Sequence, residues 1–196
     1  MIRKSSSKKS TAIKICGLTK TSQARSIAEL KINAIGVIGV KNSPRFVPEE
    51  ECMKIFNEVE KVSSSIEKVL VIANAKLEEV KSINNRSTPP SVIQLHGTES
   101  VDYCRELKNE FPGIKIWKAF RLKAINDLEN ISQYEKNIDA ILIDAWDEKS
   151  LGGTGNRVPI ELLLNKTFKA PWILAGGISA EIIPEIFSKL RPDGID

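Results

Sequence analysis

Short runs of apolar, often β-branched residues alternate along this chain with stretches whose apolar positions fall three and four residues apart. The strand-like runs are Ile13–Cys16, Ala34–Val40, Lys68–Ala73, Val92–Leu95, Ile114–Ala119, Ala140–Asp144 and Trp172–Ala175, with an eighth starting at Gly194. Few of them alternate polar with apolar residues, as expected of strands covered on both faces in a parallel sheet. Between them the period becomes helical. Cys52, Ile55, Phe56 and Val59 stand at i, i+3, i+4 and i+7 and form one apolar stripe. Ala24, Ile27, Ala28 and Ile32 make a similar stripe earlier, and Ile182, Ile183, Ile186, Phe187 and Leu190 a later one. Seven strand–helix units and one further strand, with no linker from Ile13 to Asp196, predict a single (β/α)8 TIM-barrel domain rather than an open doubly wound sheet.

Composition narrows the function classes. A chain of 196 residues with 41% hydrophobic content holds one domain's worth of core. It has no apolar run near the roughly 20 residues of a membrane helix, so no membrane partner is expected. Residues 1–12 read as a disordered basic tail without the apolar run of a secretory signal. The net charge of +4 is confined to that tail, where Arg3, Lys4, Lys8 and Lys9 meet no acid. Taking those four from the 29 basic residues leaves 25, equal to the 25 acidic ones. The folded part therefore lacks a basic footprint, and no nucleic-acid partner is expected. Cys16, Cys52 and Cys104 are odd in number and far apart, which supports neither a disulfide framework nor a metal site. A reducing cytoplasm is the expected location.

The barrel reading also says where chemistry belongs, because such barrels work in the loops after the C-terminal ends of their strands. Cys16 ends the first strand in Lys14-Ile15-Cys16-Gly17-Leu18-Thr19. It is either a base or nucleophile with an activated thiolate, or an inert buried thiol. Asp144 ends the sixth strand after an apolar run. It is either a partly desolvated general acid or a cap for the next turn. Gly152-Gly153-Thr154-Gly155 and Ala175-Gly176-Gly177-Ile178 follow strands six and seven. Such glycines expose backbone N–H groups to phosphate or simply make turns, and the second cluster stands where barrels commonly bind phosphate. Arg45, in Ser43-Pro44-Arg45, offers a fork for a carboxylate or lies on the surface. His96, the only histidine, is a base or a hydrogen-bonded strand-end residue. Cys52 and Cys104 fit the apolar faces of helices and are assigned to packing.

Taken in order, five of these segments resemble the motif series of the phosphoribosylanthranilate isomerase family. They are Lys14-Ile15-Cys16-Gly17-Leu18-Thr19, Asn42-Ser43-Pro44-Arg45, Gln94-Leu95-His96-Gly97, Leu142-Ile143-Asp144 with Gly152-Gly153-Thr154-Gly155, and Leu174-Ala175-Gly176-Gly177. The resemblance implies an enzyme that carries out an Amadori rearrangement in tryptophan biosynthesis without metal or cofactor. N-(5-phosphoribosyl)anthranilate would become 1-(2-carboxyphenylamino)-1-deoxyribulose 5-phosphate. It makes Cys16 the general base that takes the proton from ribose C2, and Asp144 the general acid that protonates the furanose oxygen. Arg45 faces the anthranilate carboxylate, and Gly176 and Gly177 offer donors to the phosphate. His96, Gly153, Gly155 and Asp196 join the residues around a small phosphorylated substrate, in a monomer or homodimer.

Two departures from the family pattern stand out. Gly36-Val37-Ile38-Gly39-Val40-Lys41 lacks the aromatic residues that usually precede Ser-Pro-Arg, and the sequence stops at Arg191-Pro192-Asp193-Gly194-Ile195-Asp196. The second suggests a barrel truncated at the eighth strand, without the last phosphate loop and helix, exposing apolar surface and a sheet edge. A truncated, non-catalytic barrel fragment that binds a phosphorylated ligand is therefore the alternative. Another sugar-phosphate isomerase on the same barrel is a third reading.

Overall fold

The computed structural model describes residues 10–85, 87–145 and 160–196. Its strands are β1 (Ala12–Cys16), β2 (Ala34–Ile38), β3 (Glu67–Ile72), β4 (Val92–Leu95), β5 (Lys115–Leu122), β6 (Ala140–Ala145), β7 (Trp172–Leu174) and β8 (Gly194–Ile195). They pair in parallel and in sequence order to form a closed barrel. Helices α1 (Thr21–Ala28), α2 (Glu49–Val62), α3 (Leu77–Asn84), α4 (Val101–Glu110), α5 (Ile131–Tyr134) and α6 (Ile183–Lys189) connect them. Among the described residues no helix is long and apolar enough to cross a membrane.

Period-two alternation within the strands sorts two cores. On β6, Ala140 and Leu142 pack inside the barrel with Ala119, Ile173 and Ala175. Ile141 and Ile143 belong to the outer cluster that also holds Phe56, Leu107 and Ile116, the layer beneath the helices. The α2 stripe of Cys52, Ile55, Phe56 and Val59 is buried as its spacing predicts.

The structure departs from expectation in three places. β1 begins at Ala12, inside the stretch assigned to the tail, and pairs there with β8. The expected sheet edge is absent, because two residues of β8 are enough to close the ring. Ala12 pairs with Gly194 and Ile13 with Ile195, and the Ala12 N–H donates to the Asp193 carbonyl at 2.8 Å. Gly194 suits this seam, since a Cβ there would stand 3.3 Å from the Ala12 carbonyl oxygen. On the outer face of β1, Ile13 and Ile15 remain 42% and 36% exposed.

The third departure concerns the late helices. The connection from β5 to β6 holds only a 3-10 turn, Ile125–Leu128, and the one-turn α5. Here Asp127 accepts the Lys123 and Ala124 N–H groups at 2.8 Å each. These bonds cap the start of the 3-10 turn, leaving no longer helix beyond it than α5. Between β6 and β7 the described residues contain only the 3-10 turn Ile160–Leu163.

The outer core makes the fold sensitive to alkali. Burial, with a smaller push from Glu49, raises the Cys52 thiol from 9.0 to about 12. Burial likewise raises Cys104 from 9.0 to about 11. These groups stay protonated in the folded chain but ionise at ordinary values once it unfolds. The folded state therefore binds more protons from about pH 9 upward, and stability falls as pH rises through that window. The melting temperature is expected to drop from pH 9 to pH 11, and Cys52→Ala/Cys104→Ala should flatten that drop. A melting temperature independent of pH over this range would contradict the account.

Candidate active site

A cavity of about 360 Å³ opens at the C-terminal end of the barrel. Its walls include Cys16 from β1, Asp144 from β6, His96 after β4, Gly176 and Gly177 after β7, Asp196 after β8, and Arg45 from the loop after β2. The structure thus brings together seven of the nine residues singled out in the sequence. The other two, Gly153 and Gly155, lie outside the described residues.

Cys16 is accommodated by what its neighbour lacks. Gly36 is its partner on β2, and a Cβ on Gly36 would stand 2.5 Å from the Cys16 sulfur. Gly17 takes a φ of +85°, a conformation that glycine adopts without strain. A Cβ on Gly17 would meet the Arg45 guanidinium at 2.4 Å. Arg45 therefore lies across the turn after β1, and its Nη1 donates to the Cys16 carbonyl at 3.4 Å. Its backbone N–H donates to Ser43 Oγ at 3.2 Å, which fixes the Ser-Pro-Arg turn.

Asp144 and His96 meet across the cavity. His96 Nε2 is 3.2 Å from Asp144 Oδ2, and both side chains are buried. On its other side, His96 Nδ1 lies 3.2 Å from Gln94 Nε2. The contact at Nε2 is a close approach and not a hydrogen bond: among the described residues, His96 Nε2 and Gln94 Oε1 are buried without a hydrogen-bond partner. The loop that carries His96 is anchored from below by a buried ion pair. Lys118 Nζ is 3.1 Å from Glu99 Oε2, and Glu99 also accepts the N–H groups of Gly97 and Asn74.

Asp196 faces Lys14. Its Oδ2 is 2.5 Å from the Lys14 ammonium. Burial alone would lower the Lys14 ammonium, but Asp196 and the Cys16 sulfur outweigh it and hold it above its ordinary value. Burial pushes the Cys16 thiol up, Lys14 and Arg45 pull it down, and Asp196 adds to the upward push. The net result is a thiol above its ordinary value. Gly176 and Gly177 adopt φ values of +85° and +62°, so the turn after β7 depends on glycine.

A sequence model of the N-(5′-phosphoribosyl)anthranilate (PRA) isomerase family matches residues 13–196. The chain belongs to this family. A relative named N-(5′-phosphoribosyl)anthranilate isomerase, from Crocosphaera subtropica, is 37% identical over 184 residues, which cover 94% of this chain and 86% of that protein. The crystal structure of phosphoribosyl anthranilate isomerase from Thermotoga maritima superposes with a TM-score of 0.81 at 22% identity, covering 95% of this chain and 87% of that one. Another isomerase structure, at a TM-score of 0.75 and 21% identity, holds reduced 1-(o-carboxyphenylamino)-1-deoxyribulose 5-phosphate and covers 95% of this chain and 86% of that one. These two solved structures corroborate the barrel, whereas the family match and the 37% relative carry the assignment.

Two cavity residues of this isomerase-family chain, Lys14 and Gln94, were not singled out in the sequence. A signal for both was present. Each stands two residues before a candidate on the same strand, Lys14 before Cys16 and Gln94 before His96, and period two places each pair on one face.

Proposed function

We propose that this chain is an isomerase of tryptophan biosynthesis that converts N-(5-phosphoribosyl)anthranilate to 1-(2-carboxyphenylamino)-1-deoxyribulose 5-phosphate. The observation that carries the reading is the convergence of a thiol on β1 and a carboxylate on β6 in one cavity, beside Arg45 and the Gly176-Gly177 turn. A small substrate with one carboxylate and one phosphate has a use for each of these groups.

In this reading Asp144 gives its proton to the furanose ring oxygen, the C1–O bond breaks, and the anthranilate nitrogen stabilises the opened C1 as an iminium. Cys16, as thiolate, then takes the proton from C2. The electrons move into a C1–C2 double bond and neutralise the nitrogen, leaving an enolamine. Ketonisation moves the hydroxyl proton from O2 to C1 and completes an isomerisation with no net gain or loss of atoms. Rate enhancements of about 10²–10⁴-fold are usual for each positioned acid or base. The Arg45 guanidinium holds the anthranilate carboxylate, and the glycine turn after β7 takes the phosphate. His96 orients Asp144. The enzyme works in the cytoplasm as a monomer or homodimer.

Turnover is followed directly by the loss of phosphoribosylanthranilate fluorescence. The purified chain should consume the substrate and release the ribulose product. A folded chain that leaves the substrate untouched would overturn the reading.

Gly36 offers a further check. Gly36→Ala puts a methyl group 2.5 Å from the Cys16 sulfur, which must shift. Since a displacement of about 1 Å can cost on the order of 100-fold in rate, kcat should fall by roughly 10–100-fold in a variant whose circular dichroism is unchanged. Unaltered kcat would mean that the thiol's position does not matter.

A further inference from the structure

Lys14 is a lysine in the wrong place for packing. It is 2% exposed inside the barrel, where desolvation strongly disfavours an unpaired ammonium. Its neighbour across the β1–β2 ladder is the small Ala34, so an apolar side chain would serve the core at least as well. What the ammonium has instead is two partners. One is Asp196, at 2.5 Å. The other is the Cys16 sulfur, two residues along the same face of β1 and a wall of the same cavity.

We propose that Lys14 is the positioning group that makes a Cys16 thiolate available inside the barrel, and that Asp196 is the tether that keeps the ammonium charged and in place. The proposal rests on the reading of Cys16 as the base. The charges that bear on the sulfur come from three segments: Lys14 on its own strand, Arg45 after β2, and Asp196 after β8. Gly36, its partner on β2, contributes none. His96 and Asp144 line the same cavity from β4 and β6. Burial opposes the thiolate most strongly, and Lys14 is the largest influence in its favour. Asp196 works both ways: it holds Lys14, yet its own negative charge disfavours the thiolate.

This opposition assigns a different sign to each variant, which a merely structural role would not. The experiment measures the rate of Cys16 alkylation by iodoacetamide against pH, read by peptide mass spectrometry on the full chain without substrate. Cys52 and Cys104, pushed up to about 12 and about 11, remain thiols over most of the range. Lys14→Met should move the Cys16 midpoint up by about one pH unit or more, the size expected when a neighbouring opposite charge is lost. Asp196→Asn should move it down. The double variant, which leaves no buried charge unpaired and so guards against misfolding of Lys14→Met, should lie above the wild type but below Lys14→Met. Equal midpoints in the wild type, the folded Lys14 variants and Asp196→Asn would overturn the proposal. The readout is independent of turnover. A chain that shows these shifts but does not consume phosphoribosylanthranilate would refute the isomerase reading and leave the Lys14–Cys16 coupling standing.

Discussion

Cys16→Ala should lower kcat for phosphoribosylanthranilate by about 10²–10⁴-fold with little change in KM, the loss expected for a positioned general base. The substitution is structurally mild. It removes one sulfur from a pocket wall, next to a glycine already shaped around it. The buried Lys14 ammonium keeps its Asp196 partner at 2.5 Å, so no buried charge is stranded. A loss of turnover with an unchanged melting temperature would therefore report chemistry rather than folding. Asp144→Asn should cost a comparable factor for a different reason. The amide keeps the shape and the contact with His96, but it cannot deliver the proton that opens the furanose ring. Because the two groups serve successive proton transfers, the double variant should be much less than multiplicatively worse. Wild-type activity in Cys16→Ala would remove the thiol from the mechanism. Wild-type activity in Asp144→Asn would do the same for the acid.

The second large effect is on stability. Lys118 and Glu99 are 4% and 2% exposed at the side chain and 3.1 Å apart. Lys118 Nζ also donates to the carbonyls of Gly97 at 2.9 Å and Ala119 at 3.0 Å. Lys118→Met would leave the Glu99 carboxylate buried without its cation. Removing one partner of a buried pair costs about 3–5 kcal/mol, a large part of a domain's total stability. Denaturant unfolding should show that loss. Adding Glu99→Gln should recover part of it, because the stranded charge disappears while the amide oxygen can still accept from Gly97 and Asn74. A cost below about 1 kcal/mol for Lys118→Met would show that water reaches the pair and that it behaves as a surface ion pair.

This pair also illustrates how function and fold connect. Glu99 holds the turn at Gly97, the residue after His96, and Asn74 Oδ1 accepts from the Thr98 N–H at 2.8 Å. The loop after β4 is thus fixed to the loop after β3 and to strand β5 by charge and hydrogen bonds. His96 inherits its position from that arrangement.

Much of this was legible in the residues themselves. Buried parallel strands announce themselves as continuous β-branched runs, and the α2 stripe repeats at helical spacing. Those local signals by themselves place Cys16, Asp144, His96 and the Gly176-Gly177 turn at the C-terminal ends of strands. Their motif order also matches the family that the chain joins. The tertiary structure alone decided the rest, because it depends on segments far apart in sequence. Two residues of β8 close the ring against Ala12, where the sequence predicted an open edge. The helix that the strand–helix rhythm expected between β5 and β6 is only a 3-10 turn and the one-turn α5. Lys14 reads in sequence as an ordinary strand lysine. It becomes the partner of Asp196 only when β1 and β8, 182 residues apart at these positions, lie side by side. The motif could name the thiol, but its charge state is a sum over burial, Lys14, Asp196 and Arg45, and charge sums are set by distances that exist only in the folded barrel.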